Sequence, residues 1–283
     1  MMKKIRTPKM LTVLTILIIM SFFAWQAFAW TISRDFEGGT VGQVATGTSG
    51  FFWVNSGNIK FSNSVVHNGT KSVAAQFTSG SVDTTGATFE GNNATVSEGG
   101  EAWYRGYFYF PTGWKWNGTT KIMRFQTPRG YLSVLSGNGS IQASNEPAVY
   151  AGYDGQPGIL EATGSNFDTG KWQCIEMYVK LSSTAGKGIF RIWKDGILIY
   201  QRTTLPTVSG PGQGLNDVNT LFNYWNESSP QNQTAYVDDI KITSDIPSNV
   251  DAQGNRMIGP TDWLSGNTAL PAPTALRVTA TAN

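Results

Sequence analysis

Apolar and polar residues alternate strictly from Trp172 to Leu181, which predicts a β-strand with one buried face. The face predicted to contact the core carries Gln173, Ile175, Met177, Val179 and Leu181. The opposite face carries Trp172, Cys174, Glu176, Tyr178 and Lys180. Because the first face is mainly aliphatic and the second mixes rings with charges, we expect the sheet to turn the first face toward the core and the second away from it.

The next two strands are predicted at Ile189–Lys194 and Ile197–Arg202, joined by Asp195-Gly196. This dipeptide readily adopts the positive φ values that a two-residue hairpin turn requires. Counting outward from the turn pairs, on the core side, Ile192 with Ile199. On the other side it pairs Arg191 with Tyr200 and Trp193 with Leu198. The second face therefore combines flat rings with cations, a composition that suits a sugar polymer.

The rest of the chain has the same character, and no stretch of a dozen residues shows helical apolar spacing. Clusters of Gly, Asn, Pro and Ser separate most of the apolar segments. Further strands are predicted at Ser33–Phe36, Ser72–Phe77, Ala102–Phe110, Lys121–Gln126, Tyr131–Leu135, Asn219–Trp225 and Ala235–Thr243. Since a parallel sheet would need helical crossovers, this spacing predicts an all-β sandwich or jelly roll of antiparallel sheets.

Both ends of the chain differ from this β-rich body. Four basic residues precede an apolar run from Met10 to Trp25 and the sequence Ala27-Phe28-Ala29, an order typical of an export signal cleaved after Ala29. A retained membrane anchor is the alternative for this segment. We therefore predict a signal peptide at 1–29, one domain at 30–246, and a C-terminal extension with a Pro-rich linker at 247–283. The mature chain is expected to be secreted or periplasmic, with no membrane contact after cleavage.

The charge balance argues against nucleic acid as a partner. The chain has 21 Lys and Arg residues, of which four lie in the signal segment, so 17 remain against 19 Asp and Glu. No basic stripe accompanies this small negative charge. The chain has one cysteine, so it forms no internal disulfide. We expect Cys174 to be a packed residue and the domain to be a monomer stabilised by its core.

Five motifs follow one another along the chain. They are Arg34–Gly39, His67–Ser72, Gly170–Cys174, Trp193–Gly196 and Tyr236–Ile240. In this order they resemble the concanavalin A-like lectin/glucanase superfamily, and especially its bacterial members related to polysaccharide lyases. The resemblance extends from Trp30 to Thr243, which is most of the chain that remains after cleavage.

The resemblance implies a jelly roll of two curved antiparallel sheets, with a glycan lying across the concave face. It also implies that the first and last strands lie side by side, where carboxylates hold one structural calcium ion, and that there is no organic cofactor. The residues that match this calcium site are Glu37, Asp238 and Asp239. Ca²⁺ prefers hard oxygen ligands, and an ion between these strands would join the two ends of the chain. The alternative is that the three acids are solvated charges of a turn and an edge strand.

The strand Ala102–Phe110 is apolar on both faces, so its alternation leaves open which face borders a groove. One face carries Trp103, Arg105, Tyr107 and Tyr109. The resemblance favours this face, because a buried unpaired guanidinium is costly and a groove offers Arg105 a partner. The residues expected to bind polysaccharide are Trp103, Trp172, Glu176, Arg191, Trp193 and Tyr200. Core filling is the alternative for each of the rings.

A lyase that acts on a uronic acid polymer performs three tasks. It neutralises the carboxylate, removes the neighbouring proton and protonates the leaving oxygen. Arg105 and Lys121 are expected to perform the first task, with Arg124 and Arg191 as the alternatives. Tyr107 is expected to transfer the protons beside such a cation, with Tyr200 as the alternative.

Other enzyme classes lack their usual residues in this chain. The single histidine, His67, lies in a polar turn, which argues against a zinc site and a serine triad. No Glu-x-Asp-x-x-Glu run of the glucanase branch occurs, so Glu176 has no second acid nearby in the sequence for hydrolysis. The Gln-Ile-His segment of alginate lyases is missing as well, and this departure counts against lyase activity.

These observations predict a secreted protein that binds a polysaccharide on the concave face of a jelly roll. One alternative is a polysaccharide lyase that cleaves a uronic acid polymer by β-elimination with Tyr, Arg and Lys side chains. Another is a non-catalytic surface or adhesive protein, because a fold by itself does not determine a function. The three differ in whether a polymer binds and whether unsaturated uronate products form.

Overall fold

The computed structural model describes residues 29–260, with gaps at 55–56, 82–83, 90–94, 157–158 and 226–227. For residues 84–89 and 219–225 it describes the backbone only. The predicted signal peptide up to residue 28 and the predicted Pro-rich linker lie outside the described residues. Within the described part of the chain, no helix has the length and apolar character needed to cross a bilayer.

The described residues form seventeen β-strands and one short helix. The strands are β1 (Thr31–Arg34), β2 (Trp53–Val54), β3 (Ile59–Ser62), β4 (Ser72–Phe77), β5 (Thr84–Phe89), β6 (Glu101–Tyr109), β7 (Thr119–Gln126), β8 (Tyr131–Gly137), β9 (Ser140–Asn145), β10 (Leu160–Asn166), β11 (Trp172–Lys180), β12 (Ile189–Lys194), β13 (Ile197–Arg202), β14 (Asp217–Trp225), β15 (Gln233–Thr243), β16 (Asn249–Val250) and β17 (Arg256–Met257). The helix is α1 (Glu146–Tyr150).

Two large antiparallel sheets confirm the predicted all-β sandwich of the concanavalin A-like, jelly-roll type. The eight-stranded sheet has the order β13-β12-β11-β6-β15-β4-β3, and β1 also pairs with β15. The seven-stranded sheet has the order β10-β9-β8-β7-β14-β5-β2. Each sheet therefore has an inner face toward its partner and an outer face on which a site can form.

The core lies between the sheets because each sheet turns an apolar face inward. The predicted alternation of β11 is confirmed, since its aliphatic side chains are buried in this core: Ile175, Met177 and Val179 of β11, and Leu181 just after it. The seven-stranded sheet contributes Ile122, Phe125, Leu132, Val134 and Ile141. Burial of one such side chain stabilises the fold by about 1.5–3 kcal/mol before entropy is counted, so the two inner faces hold the sandwich together.

The hairpin between β12 and β13 forms with one change of register. Both residues of the predicted turn, Asp195-Gly196, have positive φ, at 51° and 78°. A β-bulge then makes Tyr200 face Ile192 instead of Arg191. One extra residue turns the side chains that follow it to the other face of the sheet. Tyr200 therefore lies in the core with its ring centroid 5.6 Å from that of Phe190, and the prediction that it binds polysaccharide is wrong.

The first and last long strands lie side by side, as the resemblance implies. Strand β1 pairs with residues 240–243 of β15, while β4 pairs with residues 233–237 of the same strand. A bulge separates the two halves of β15, and within it Asp239 has a φ of 46°. A non-glycine residue adopts this left-handed conformation only where its surroundings hold it, and here β15 is paired on both sides of the bulge.

The C-terminal segment folds onto the outer face of the eight-stranded sheet. Strands β16 and β17 pair with each other. Met257 at the end of β17 and Ile258 just after it are buried against side chains of β6, β11, β12 and β13. The folded unit therefore continues past the predicted boundary at residue 246, which is wrong because it separates this segment from the sheet that it covers. We call residues 249–259 the C-terminal strap.

Candidate functional site

The C-terminal strap covers both tryptophans that are predicted to bind polysaccharide at the centre of the eight-stranded sheet. Trp103 and Trp193 are 1% and 0% exposed and pack with Met257 and Ile258. The Trp193 indole N–H also donates to the Asp251 carboxylate of the strap at 2.8 Å. No sugar reaches either ring in this arrangement, so the prediction that Trp103 and Trp193 bind polysaccharide is wrong.

Glu176 and Arg105 hold the strap in place. The Glu176 carboxylate accepts the backbone N–H groups of Ile258 at 2.6 Å and Gly259 at 2.9 Å. Burial raises the pKa of Glu176 to about 7, against the lowering effect of these two hydrogen bonds. Arg105 donates to the carbonyl oxygens of Gly259 at 3.0 Å and Asp239 at 3.1 Å. Glu176 is buried under the strap, so its predicted role in binding is wrong. Arg105 contacts the strap but also lines a small cavity with Asp35 and Asp239, so its predicted role in catalysis stays a prediction.

Tyr107 and Trp172 lie beneath the turn that carries His67. The His67 ring stacks on Tyr107 with 3.6 Å between centroids, and it meets Trp172 edge-on at 5.6 Å. The Trp172 indole N–H donates to the carbonyl of Val66 at 3.1 Å. Tyr107 is buried, so its predicted role as a proton-transfer group in an open groove is wrong. Trp172 is half-buried at the margin of the same cluster.

The other two residues of interest on this face are Arg191 and Cys174. The Arg191 guanidinium lies over the Tyr178 ring at 5.2 Å, and its Nε donates to Gln201 at 2.6 Å. Cys174 is buried, and burial raises the pKa of its thiol well above the ordinary value. This confirms that Cys174 is a packed residue, because a raised pKa disfavours the nucleophilic thiolate.

The three acids predicted to hold calcium form hydrogen bonds near the turn that carries His67. Glu37 accepts the backbone N–H of Thr70 at 2.9 Å and its hydroxyl at 2.6 Å. The hydroxyl bond is the main cause of a lowered pKa of Glu37. Asp238 accepts the backbone N–H of His67 at 3.0 Å, and Asp239 contacts the His67 Nδ1 at 2.6 Å. The acids thus connect the regions of the first and last strands to this turn by accepting hydrogen bonds from N–H and O–H groups of the protein.

This donor set, as arranged, does not fit a calcium ion. N–H and O–H groups point at the carboxylate oxygens that the cation would need, and the described residues contain no group of three His, Cys, Asp or Glu side chains placed to hold a metal. We therefore expect a chelator to leave the Tm unchanged.

We expect Asp238→Asn to lower the free energy of unfolding by roughly 1–3 kcal/mol, because its amide would face backbone N–H donors. Thermal unfolding with and without EDTA measures both, and a Tm lowered by EDTA would contradict this expectation.

Lys121 lies on the opposite side of the sandwich from Arg105 and Tyr107. It belongs to β7 of the seven-stranded sheet, whereas the other two belong to β6 of the eight-stranded sheet. The prediction that these three residues form one catalytic group is therefore wrong, because the core separates them. The strap covers the part of the eight-stranded sheet that carries Trp103 and Trp193, and the candidate site that we describe lies on the outer face of the other sheet.

A row of polar side chains crosses the outer face of the seven-stranded sheet. Backbone pairing aligns Arg124 of β7 with Ser133 of β8, Ser144 of β9 and Leu160 of β10. Aligned residues of an antiparallel sheet share one face. Arg124, Ser133 and Ser144 are 8%, 0% and 6% exposed although they are outside the hydrophobic core, while Leu160 at the edge is 57% exposed. These three polar side chains therefore lie beneath other groups of this face, and we call the four aligned residues the polar row.

Lys121 lies next to the polar row, aligned with Leu135 and Gln142 of the neighbouring strands. The pKa of Lys121 is lowered to about 8, mainly by burial and secondly by the Arg124 guanidinium, while the Glu146 carboxylate acts in the opposite direction. A sizeable fraction of Lys121 is therefore uncharged at mildly alkaline pH, whereas an arginine stays positive. An amine that can accept a proton thus lies beside a fixed positive charge.

Tyr131 and Glu146 complete the site. The Arg124 guanidinium carbon lies 4.2 Å from the centroid of the Tyr131 ring, and Glu146 accepts the backbone N–H of Tyr131 at 3.2 Å. The Asn145 side chain accepts the N–H of Ala148 at 3.2 Å, which fixes the first turn of α1 where Glu146 lies. The Lys121 site, as we call it, consists of Lys121, Arg124, Tyr131, Ser133 and Glu146.

The sequence points to Lys121 and Arg124 but does not single out Tyr131, Ser133 or Glu146. The one available signal is Ser133, a polar residue in the middle of the otherwise apolar run 131–135. Its buried hydroxyl has no hydrogen-bond partner among the described residues. Because buried polar groups are normally satisfied, a buried hydroxyl without a partner sets Ser133 apart from the apolar residues around it.

Comparison of the sequence with known families gives one match. The profile of a family described as polysaccharide lyase matches residues 36–241, which is well over half of the chain. A search of curated protein sequences gives no match.

Solved structures of low sequence identity share the fold. The endo-β-1,4-glucuronan lyase of the fungus Trichoderma reesei is 15% identical with a TM-score of 0.55, over 75% of this chain and 94% of that chain. The PL-14 alginate lyase of Aplysia kurodai is 13% identical with a TM-score of 0.53, over 75% and 97%. The alginate lyase vAL-1 of Chlorella virus is 14% identical with a TM-score of 0.50, over 65% and 88%. At these identities the similarity establishes the fold alone.

Proposed function

Because the chain belongs to the polysaccharide lyase family, we propose that it cleaves a uronic acid polymer by β-elimination at the Lys121 site. The observation that carries this proposal is the lowered pKa of Lys121 beside Arg124 on the outer face of the seven-stranded sheet. Elimination next to a carboxylate needs a base and a cation within reach of the same sugar. Lys121 and Arg124 provide both from one strand.

The reaction assigns one task to each side chain. Arg124 binds the uronate carboxylate and stabilises the negative charge that develops when the neighbouring C5–H bond breaks. The uncharged amine of Lys121 takes this proton, the electron pair forms the C4–C5 double bond, and the C4–O bond breaks. The Tyr131 hydroxyl donates a proton to the leaving oxygen. Ser133 is fully buried beside Arg124, so it has no direct task in the reaction.

The substrate class rests on charge and on the relatives. The fixed positive charge of Arg124 favours an anionic sugar over a neutral one. The solved structures of the same fold include a glucuronan lyase and alginate lyases, one of them in complex with an alginate trisaccharide, and both polymers consist of uronic acids.

The test is to incubate the purified protein with alginate, glucuronan, pectate and heparin-type polymers and to follow ultraviolet absorbance. We expect one of them to give the rising absorbance of an unsaturated uronate. A flat trace with all four would contradict the proposal. Retardation in gels containing the same polymers, without products, would instead favour the purely binding protein that the sequence predicts.

Export and the monomeric state stay predictions. Cleavage after Ala29 would leave β1 free to pair with β15, and a uronic acid polymer outside the cytoplasm would then be the partner. Mass spectrometry of the protein recovered from the medium or periplasm measures the new N-terminus.

The pH dependence of the reaction follows from Lys121. Since the base must be uncharged, kcat/KM is expected to rise about tenfold per pH unit and to level off above about 8, the pKa of this lysine. The Glu146→Gln variant removes the charge that raises this pKa, so its profile is expected to shift to lower pH. Initial rates across buffers of constant ionic strength measure both profiles. A rate that falls as the pH rises toward 8 would contradict Lys121 as the base.

A further inference from the structure

The line of backbone pairing that contains the polar row continues to the other edge of the seven-stranded sheet. Arg124 of β7 aligns with Asn219 of β14, Asn219 aligns with Thr88 of β5, and Thr88 aligns with Trp53 of β2. Trp53 is therefore in the same cross-strand line as Arg124, at the edge opposite to Leu160. The backbone pairing alone defines this line.

The Trp53 side chain lies on the same outer face as Lys121. Its neighbour Val54 packs against the core between the sheets, and successive residues of a strand point to opposite faces. Trp53 is 53% exposed, and the preceding residue, Phe52, is 67% exposed. A large indole that is half exposed at the end of a row of polar groups is available to a ligand, unlike the buried Trp103 and Trp193.

The length of the line fits an extended polymer. Neighbouring strands lie about 4.8 Å apart, so three intervals put Trp53 about 14 Å from Arg124, and the full row of seven strands spans about 29 Å. These distances exceed one sugar unit, so a single monosaccharide cannot contact both residues. A chain of several sugar units can do so.

The chemistry of the line favours a sugar polymer over a protein partner. A flat indole packs against the C–H face of a sugar ring, and the described side chains between the two apolar ends of the line are Arg124, Ser133 and Ser144, which are polar and include one positive charge. Protein-binding patches are usually apolar at their centre and polar at the rim, which is the reverse of this order.

We propose that Trp53 is a distal sugar-binding subsite, which holds a uronic acid polymer several sugar units away from the Lys121 site. The identity of the polymer rests on the proposed function, whereas the position of the Trp53 ring does not. Trp53 contributes binding to long chains only, and it takes no part in the chemical step.

The experiment compares Trp53→Ala with the wild-type protein on polymer and on disaccharides of the same composition. The KM for polymer is expected to rise roughly 3- to 10-fold, the effect of losing one aromatic contact, with an unchanged kcat. Disaccharides cannot reach from Arg124 to Trp53, so their kcat/KM is expected to stay the same. Trp53→Tyr keeps a flat ring and is expected to restore most of the affinity. Ile246→Ala removes an exposed apolar side chain outside the row and serves as the control.

Gel retardation separates this inference from the proposed function. If the protein cleaves no polymer but is retarded by alginate or glucuronan, and Trp53→Ala abolishes the retardation, the subsite is supported and the lyase activity is not. If Trp53→Ala matches Ile246→Ala in KM and in retardation, the subsite is overturned while the lyase activity stands. A wild-type protein that no polymer retards overturns the subsite as well.

Discussion

Replacement of Lys121 by methionine is expected to lower kcat by roughly 10²- to 10⁴-fold, the usual contribution of a general base. Methionine has a similar length and fills the half-buried space, so the sheet stays intact while the amine is lost. The KM is expected to change much less, because Arg124 still binds the carboxylate. Ultraviolet absorbance with the polymer that the wild-type protein cleaves measures the loss, and far-ultraviolet circular dichroism verifies the fold.

Two matched variants show whether the correct face has been chosen. Lys241→Met removes a lysine from the eight-stranded sheet, and Tyr107→Phe removes the hydroxyl of the tyrosine that the sequence favours. Both are expected to keep activity close to that of the wild-type protein, because they lie across the core from Lys121. Tyr131→Phe keeps the ring beneath Arg124 and is expected to lower kcat alone. Full activity in Lys121→Met, or its loss in Tyr107→Phe, would contradict the Lys121 site.

Removal of the C-terminal strap is expected to lower the Tm by about 5–10 °C. A chain that ends at Ser248 loses the burial of Met257 and Ile258, at about 1.5–3 kcal/mol each, and exposes Trp103 and Trp193. It also loses the two N–H donors of Glu176. For a domain of this size, 1 kcal/mol corresponds to about 2–4 °C in Tm, and the entropy of ordering the strap offsets part of the loss.

The control for this truncation is a chain that ends at Pro260, which keeps the strap and lacks only residues beyond it. Its Tm is expected to equal that of the longer chain. The chain that ends at Ser248 is expected to retain its activity at low temperature, because the Lys121 site lies on the other sheet. Equal Tm values for the two truncations would contradict the structural role of the strap.

Local features of the fold follow from the sequence, because they depend on residues that are close together in the chain. The alternation in β11 and the Asp195-Gly196 turn are both correct in the structure. The pairing of Tyr200 is wrong because a bulge adds one residue without a sequence signal. This one-residue shift of register places the Tyr200 side chain in the core instead of in the predicted groove.

The location of the site does not follow from the sequence, because it depends on contacts between distant segments. Both faces of β6 read as apolar, and only the packing of residues 249–259 decides that Trp103 and Arg105 are covered. The sequence likewise places Lys121 and Tyr107 in one group, although the strand order puts them on opposite sheets. The sequence indicates Arg124 as a candidate cation. It does not indicate that Tyr131 is a neighbour, because this depends on the pairing of β7 with β8.

The position at which the chain leaves the strap determines from which side of the sandwich the protein can be immobilised or fused. The Gly259 carbonyl is fixed by Arg105 on the outer side of the eight-stranded sheet, so the chain leaves there at Pro260. A module fused directly after Pro260 would therefore be attached on the side of the eight-stranded sheet. The outer face that carries the Lys121 site then points away from the attachment point.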